Sequence, residues 1–198
     1  MDGWLLTLGK KLSEKIPCPE YREFNRILAD ELNLEIDADR IINKPDFFEK
    51  IWIDYEDHEI LTRSERFTRL KGRMGLYILW VDADTVCEQH GKVTHLAAYV
   101  GKGFGEVRVN SHIKEKWPND EPFHVSFYEC SNRVAKYLEQ LFLDLYHFHL
   151  NTMENKGEAY LYSHWDEFLV IEGTEAKFLA EEFQDRIDST LQNQGVIK

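Results

Sequence analysis

The run Gly101-Lys102-Gly103-Phe104-Gly105-Glu106-Val107 is the first segment that could do chemistry, because spaced glycines let backbone N–H groups cradle a phosphate. The kinase pattern G-x-G-x-x-G-x-V fails on count: its third glycine falls where Glu106 stands, and the chain contains no H-R-D or D-F-G. A Walker loop fails too, since no Gly-Lys-Ser/Thr follows. What remains is a tight turn from a strand into a helix. Two tyrosines beside glycines precede or enter this turn, in Gly75-Leu76-Tyr77 and Tyr99-Val100-Gly101. Arg108 and His112 follow at i,i+4, which puts them on one face of a helix. Glu139 and Asn151 come later, with Asn155 in Asn155-Lys156-Gly157 as the rival to Asn151. Taken singly, each has an ordinary structural role. Tyrosines in strands are core aromatics, Arg108 and His112 suit an exposed helix face, Glu139 borders an apolar stripe, and Asn151 could end a helix.

As an ordered series these residues are more specific. Gly-Leu-Tyr at 75–77, Tyr-Val-Gly at 99–101, Arg-x-x-x-His at 108–112, the helix segment Tyr137-Leu138-Glu139-Gln140-Leu141 and His149-Leu150-Asn151-Thr152 together resemble the GIY-YIG nuclease family over about residues 72–155. The first motif has Leu where the family name has Ile. The resemblance implies metal-dependent hydrolysis of a nucleic-acid phosphodiester, with DNA favoured over RNA. It implies that Glu139 holds one divalent cation, Mg2+ or Mn2+, since hard cations favour carboxylate oxygen. Tyr77 would be the general base; a free phenol has a pKa of about 10, so it needs a neighbouring positive charge to ionise near neutrality. Arg108 would clamp the non-bridging oxygens with its planar fork. Tyr99 would position the base or the water, and His112 would orient the phosphate or share the proton transfer. Asn151 would tie the glutamate helix to the sheet or contact substrate. Lys102 would add positive charge, and with Lys114 and Lys116 it makes residues 102–117 the best candidate for a phosphate-facing surface.

These residues need elements to hold them. Residues 75–81 and 95–100 are rich in β-formers and predict two pairing strands, separated by a polar turn from Asp82 to Gly91. Residues 106–116 predict a helix, and Phe123, Val125 and Phe127 alternate as in a half-buried strand. Ser131 or Asn132 can cap a long helix with Val134, Tyr137, Leu138, Leu141, Leu145 and Phe148 as its apolar stripe. The resulting β-β-α-β-α order predicts an α+β core at 72–155, a small, mainly antiparallel three-stranded sheet flanked by helices. Residues 1–71 read as a mostly helical extension. Tyr21, Phe24, Leu28 and Leu32 share a helical face, Asn43-Lys44-Pro45-Asp46 marks a turn, and Asp46 could cap a short helix through Trp52. Residues 156–198 read as a strand-helix cap, with a strand at Glu167–Ile171 and a helix from about Thr174 to Leu191 with Phe178, Leu179, Phe183, Ile187 and Leu191 on its buried side.

The whole chain sets outer limits. Its 198 residues and hydrophobic fraction of 43% suit one ordinary domain with room for a small appendage. No run approaches the roughly 18 apolar residues of a membrane span, and the N-terminal residues lack the pattern of a cleaved signal. The three cysteines, Cys18, Cys87 and Cys130, form no CxxC pair, which fits a reducing cytoplasm. His147 and His149 stand two apart, pointing to different sides of a helix. The other histidines (His58, His90, His95, His124 and His164) show no metal-ligand spacing. The net charge of −12 is unusual for a protein that binds many phosphates. It keeps two alternatives open: a catalytically silent module binding nucleic acid or a protein, and an acidic body that docks a basic partner, with residues 54–59 as its acidic run.

Overall fold

The computed structural model describes residues 19–32, 36–51, 67–87, 89, 91–116, 123–166 and 170. At its centre β2 (Met74–Val86) and β3 (Val93–Phe104) pair antiparallel along their whole length. β4 (Phe123–Glu129) pairs with the other edge of β2, and β1 (Phe47–Ile51) pairs with β4. β5 (Tyr162–Trp165) pairs with β3, so the sheet runs β1-β4-β2-β3-β5 with every neighbour antiparallel. Both faces are covered, which is why residues 75–81 are apolar at every position rather than at every second one.

Leu76, Ile78, Trp80, Ala97 and Val100 face one side. There they meet α1 (Arg22–Leu32), α2 (Ala38–Ile42) and α4 (Asn132–Leu145) through Phe24, Leu28, Ile41, Leu138 and Phe142. Phe24 lies with its ring centroid 4.5 Å from that of Phe142, both fully buried. Tyr77, Leu79, Tyr99, Val125 and Phe127 face the other side, under Val109 of α3 (Gly105–Lys116) and Leu70 of a short 3-10 turn, Thr68–Leu70. Ser131 is the residue that caps α4, its hydroxyl accepting from the Val134 N–H at 3.4 Å.

The α+β class stands, but the sheet has five strands and not three: residues 47–51 and 162–165 add one on each edge. Asp46 does not cap a helix. Its carboxylate pairs with Arg40 and accepts from the Glu129 N–H, and Phe47 and Phe48 enter a strand with opposite faces both buried. Trp52 lies outside the described residues. β2 runs on to Val86, past the expected turn at Asp82, with an irregularity between Asp82 and Thr85. The glycine run does not stop β3 at Gly101; the strand continues to Phe104. α4 ends at Leu145, short of Phe148, because the returning loop takes its last turn: the N–H groups of Lys156 and Gly157 both donate to the Leu143 carbonyl, at 3.0 and 2.9 Å. The C-terminal strand is Tyr162–Trp165, and Val170 donates a helical bond to the Asp166 carbonyl where a strand was expected. The predicted helix at 174–191, the acidic run at 54–59, Cys18, His58 and His90 lie outside the described residues.

Candidate functional site

β-Register decides which of the candidate side chains meet. Tyr77 pairs with Gly101, and Leu79 pairs with Tyr99, so the two tyrosines are diagonal neighbours on the α3 face. Their ring centroids are 5.9 Å apart. Gly101 makes this possible: a Cβ there would lie 2.6 Å from the Tyr77 hydroxyl oxygen and 2.8 Å from Cε1 of Tyr99. Helix α3 brings His112 into stack with Tyr99, centroids 4.8 Å apart, with the Tyr99 hydroxyl 3.4 Å from His112 Nε2. One turn on, Lys116 sets its ammonium 4.5 Å above the Tyr99 ring centroid. Arg108, one turn before His112, lies with its stem against Gly103, whose φ of 136° and missing side chain let the helix approach the strand. Lys114 is exposed on the same helix.

Glu139 and Lys102 come from the opposite face. Strand alternation puts Lys102, between Gly101 and Gly103, on the α4 side, where its ammonium pairs with the Glu139 carboxylate. Their side chains are 30% and 20% exposed, so the pair is reachable from solvent. The two halves meet around the end of β3. The charges of Arg108 and Glu139 both act on Tyr77 and on Tyr99, Arg108 lowering and Glu139 raising each phenol's pKa. Asn151 binds the backbone of Val100 twice, accepting from its N–H at 3.0 Å and donating to its carbonyl at 2.9 Å. It therefore ties the segment after α4 to β3. Asn155 instead folds that segment on itself, bonding the N–H and carbonyl of Phe148 at 3.0 and 2.7 Å.

Comparison with known protein families, with curated proteins and with solved structures finds no match to this chain.

Protonation narrows what the cluster can do. Tyr77 is fully buried, its hydroxyl has no hydrogen-bond partner among the described residues, and burial holds its pKa well above that of a free phenol. It is a neutral phenol at pH 7. His112 is lowered to about 4 by burial, helped by the charges of Lys116 and Arg108, so its imidazole is neutral and able to accept a proton. Lys102 does not present a bare ammonium to a phosphate; the residue reaches Glu139. No group of three or more His, Cys, Asp or Glu side chains assembles around a common point among the described residues. Glu139, partly exposed and paired with Lys102, contributes one hard carboxylate to this cluster.

Several groupings escaped sequence reasoning. His147 and His149 do not sit on a helix; their rings come within 5.1 Å, and His149 stacks on Tyr160 at 5.7 Å. His95 and His124 meet edge to face at 4.4 Å, fully enclosed. They stand 29 residues apart on β3 and β4, and only strand register unites them. Cys87 is buried, and burial pushes the Cys130 thiol up to about 11, which disfavours its thiolate at neutral pH.

Proposed function

We propose that the chain is a divalent-metal-dependent nuclease that hydrolyses phosphodiester bonds, with DNA as the favoured substrate. The observation that carries this reading is the gathering of Tyr77, Tyr99, Arg108, His112 and Glu139 around the end of β3 from four different elements. Arg108 is exposed and free to fold its fork onto the two non-bridging oxygens of a phosphate. The neutral imidazole of His112 accepts the proton from the attacking water through the Tyr99 hydroxyl, which it already faces. Tyr77 would reach that water only if the packing over its buried hydroxyl opened, and would ionise only when added positive charge outweighed its burial. Glu139 is the residue that would hold Mg2+ or Mn2+, whose contribution is neutralisation of the phosphate charge; Lys102 would leave the carboxylate and turn to the leaving oxygen.

A second reading has its own observation. With Lys102 seated on Glu139 and Tyr77 kept neutral, the same residues describe a resting or silent module that binds nucleic acid, or a basic protein partner, without cutting. Plasmid and single-stranded substrates at low salt, with Mg2+ or Mn2+, separate the two. Metal-dependent nicking that disappears with Glu139→Gln and falls at least a hundredfold with Arg108→Ala supports the nuclease. Binding without nicking, unchanged by EDTA, supports the module. No helix among the described residues is long and apolar enough to cross a membrane.

A further inference from the structure

Helix α3 places Arg108, His112 and Lys116 at every fourth position, so the three share one face. That face meets the end of β3. Arg108 rests its stem against Gly103. His112 stacks on the Tyr99 ring with centroids 4.8 Å apart, and the Tyr99 hydroxyl stands 3.4 Å from His112 Nε2. Lys116, in the last turn, closes the row with its ammonium 4.5 Å from the Tyr99 ring centroid. One tyrosine ring thus meets an imidazole and an ammonium from successive turns of a single helix.

A lysine in the last turn of a helix has an ordinary use, since cations there complement the helix dipole. Lys114 suits that use, being exposed in the same turn. Lys116 differs in where its side chain ends. The residue is half-buried, and its charge lies over a ring rather than out in water. The negative face of a phenol attracts a cation set above it. The attraction restrains both partners, and holding the ring also holds the hydroxyl at its tip. That hydroxyl is the group facing His112 Nε2.

The ammonium bears on the imidazole as well. Burial lowers His112 to about 4, with the charges of Lys116 and Arg108 lowering it too and Glu115 raising it. These are the charged groups of α3 that act on it. From the sheet it faces Tyr77 and Tyr99, whose pKa values burial raises, so both are neutral phenols at pH 7. Glu139, on α4, acts on those two phenols.

We infer that Lys116 is a positioning residue and not a phosphate contact: its ammonium, seated on the Tyr99 ring, holds the Tyr99 hydroxyl against His112 Nε2. The same charge keeps a proton off the imidazole, which leaves the pair ready to accept one. The inference rests on the nuclease reading for the use made of the pair; the contact itself is read without cleavage.

The test uses the full chain, with Lys116→Met to remove the charge, Lys116→Gln as a second uncharged variant with a polar tip, and Lys116→Arg to restore the cation. Imidazole NMR follows His112 through an acid-to-neutral titration. The parent should titrate near 4. Both uncharged variants should titrate about one unit higher, the effect of one cation a helical turn away. Their His112 ring protons should also lose part of the upfield shift that stacking on Tyr99 gives. Lys116→Arg should restore both signals, since guanidinium also sits over aromatic faces. Cleavage of a single-stranded substrate with Mg2+ is then measured near pH 8, where His112 is unprotonated in every variant. Lys116→Met should lower kcat about tenfold with KM unchanged, and the acid limb of its pH–rate profile should move up with the imidazole. Circular dichroism and melting confirm that the variants fold. A His112 titration unmoved in both uncharged variants would overturn the inference, whether or not the chain cuts. Raised KM at unchanged kcat would overturn it too, as the mark of a lost phosphate contact. So would Lys116→Arg behaving as Lys116→Met does, because the cation would then not be what acts. Titrations that move as expected in a parent that cuts nothing would retain the contact and remove the nuclease.

Discussion

At the residue scale, Gly101 does the most with the least. Its absent side chain is the space in which the Tyr77 hydroxyl and the Tyr99 ring edge lie. Gly101→Ala brings a methyl group to 2.6 Å from one and 2.8 Å from the other, inside any tolerable contact. The strand is held in the β2–β3 ladder and cannot retreat, so the tyrosines must turn. We expect a stability loss of about 1–3 kcal/mol by urea denaturation, the usual cost of overpacking. Cleavage should fall far more than that loss explains, because Tyr77 and Tyr99 leave their places over β3. A variant that loses stability but cuts at the parental rate would show that the two rings are only core. The sequence made the residue types at these positions legible, since each tyrosine sits beside its glycine. It did not show that Lys102 turns to Glu139, because that depends on strand alternation carrying a side chain through to the opposite face of the sheet.

At the element scale, the end of α4 is the informative place. Apolar spacing extends past Leu145 to Phe148, and local pattern alone reads this as continued helix. The helix stops because nonlocal bonds compete for its end: Leu143 accepts from Lys156 and Gly157, and the His147 N–H donates to the Ala159 carbonyl at 2.7 Å. The chain freed in this way turns back along β3, where Asn151 makes a paired bond with Val100. Val100 is fully buried, so removing the amide strands a backbone N–H and a carbonyl together. Asn151→Ala should therefore lower stability by about 2–3 kcal/mol, with the loss readable in urea melts and in faster amide exchange at Val100. Asn151→Asp keeps the acceptor and loses the donor, and should recover part of the loss. Equal melts for all three proteins would mean that the segment after α4 is held elsewhere. Edge strands were illegible for a related reason. Residues 47–51 and 162–165 are short, and only their pairing with β4 and β3 makes them strands.

For the whole molecule, the decisive group is one that no motif marks. All five strands of the sheet converge on a buried aromatic knot in which Trp165 lies 4.7 Å from His95 and 5.0 Å from Trp80, and His124 stacks on Phe48 at 5.5 Å. The ring nitrogens of His95 and His124 have no hydrogen-bond partner among the described side chains. Burial lowers His95 to about 4, with Asp82 raising it and Lys50 lowering it in smaller measure. Burial lowers His124 to about 2, helped by His95 and Lys50. In the unfolded chain both titrate near 6.5. Between pH 6.5 and about 4 the unfolded chain therefore binds protons that the folded chain refuses, so acid favours unfolding. The contribution is whole above pH 6.5 and drains as pH falls. From pH 7 to pH 5 each imidazole should cost of order 2 kcal/mol, more than any exposed ion pair could offset. Urea melts at the two pH values measure the slope directly. His124→Phe replaces an aromatic ring with one that cannot titrate, and should remove about half of that slope while leaving stability at pH 7 within about 1.5 kcal/mol, as volume-conserving core exchanges do. A slope that His124→Phe leaves unaltered would place the acid sensitivity in the carboxylates instead, and would mean that the knot opens to water well before the fold does.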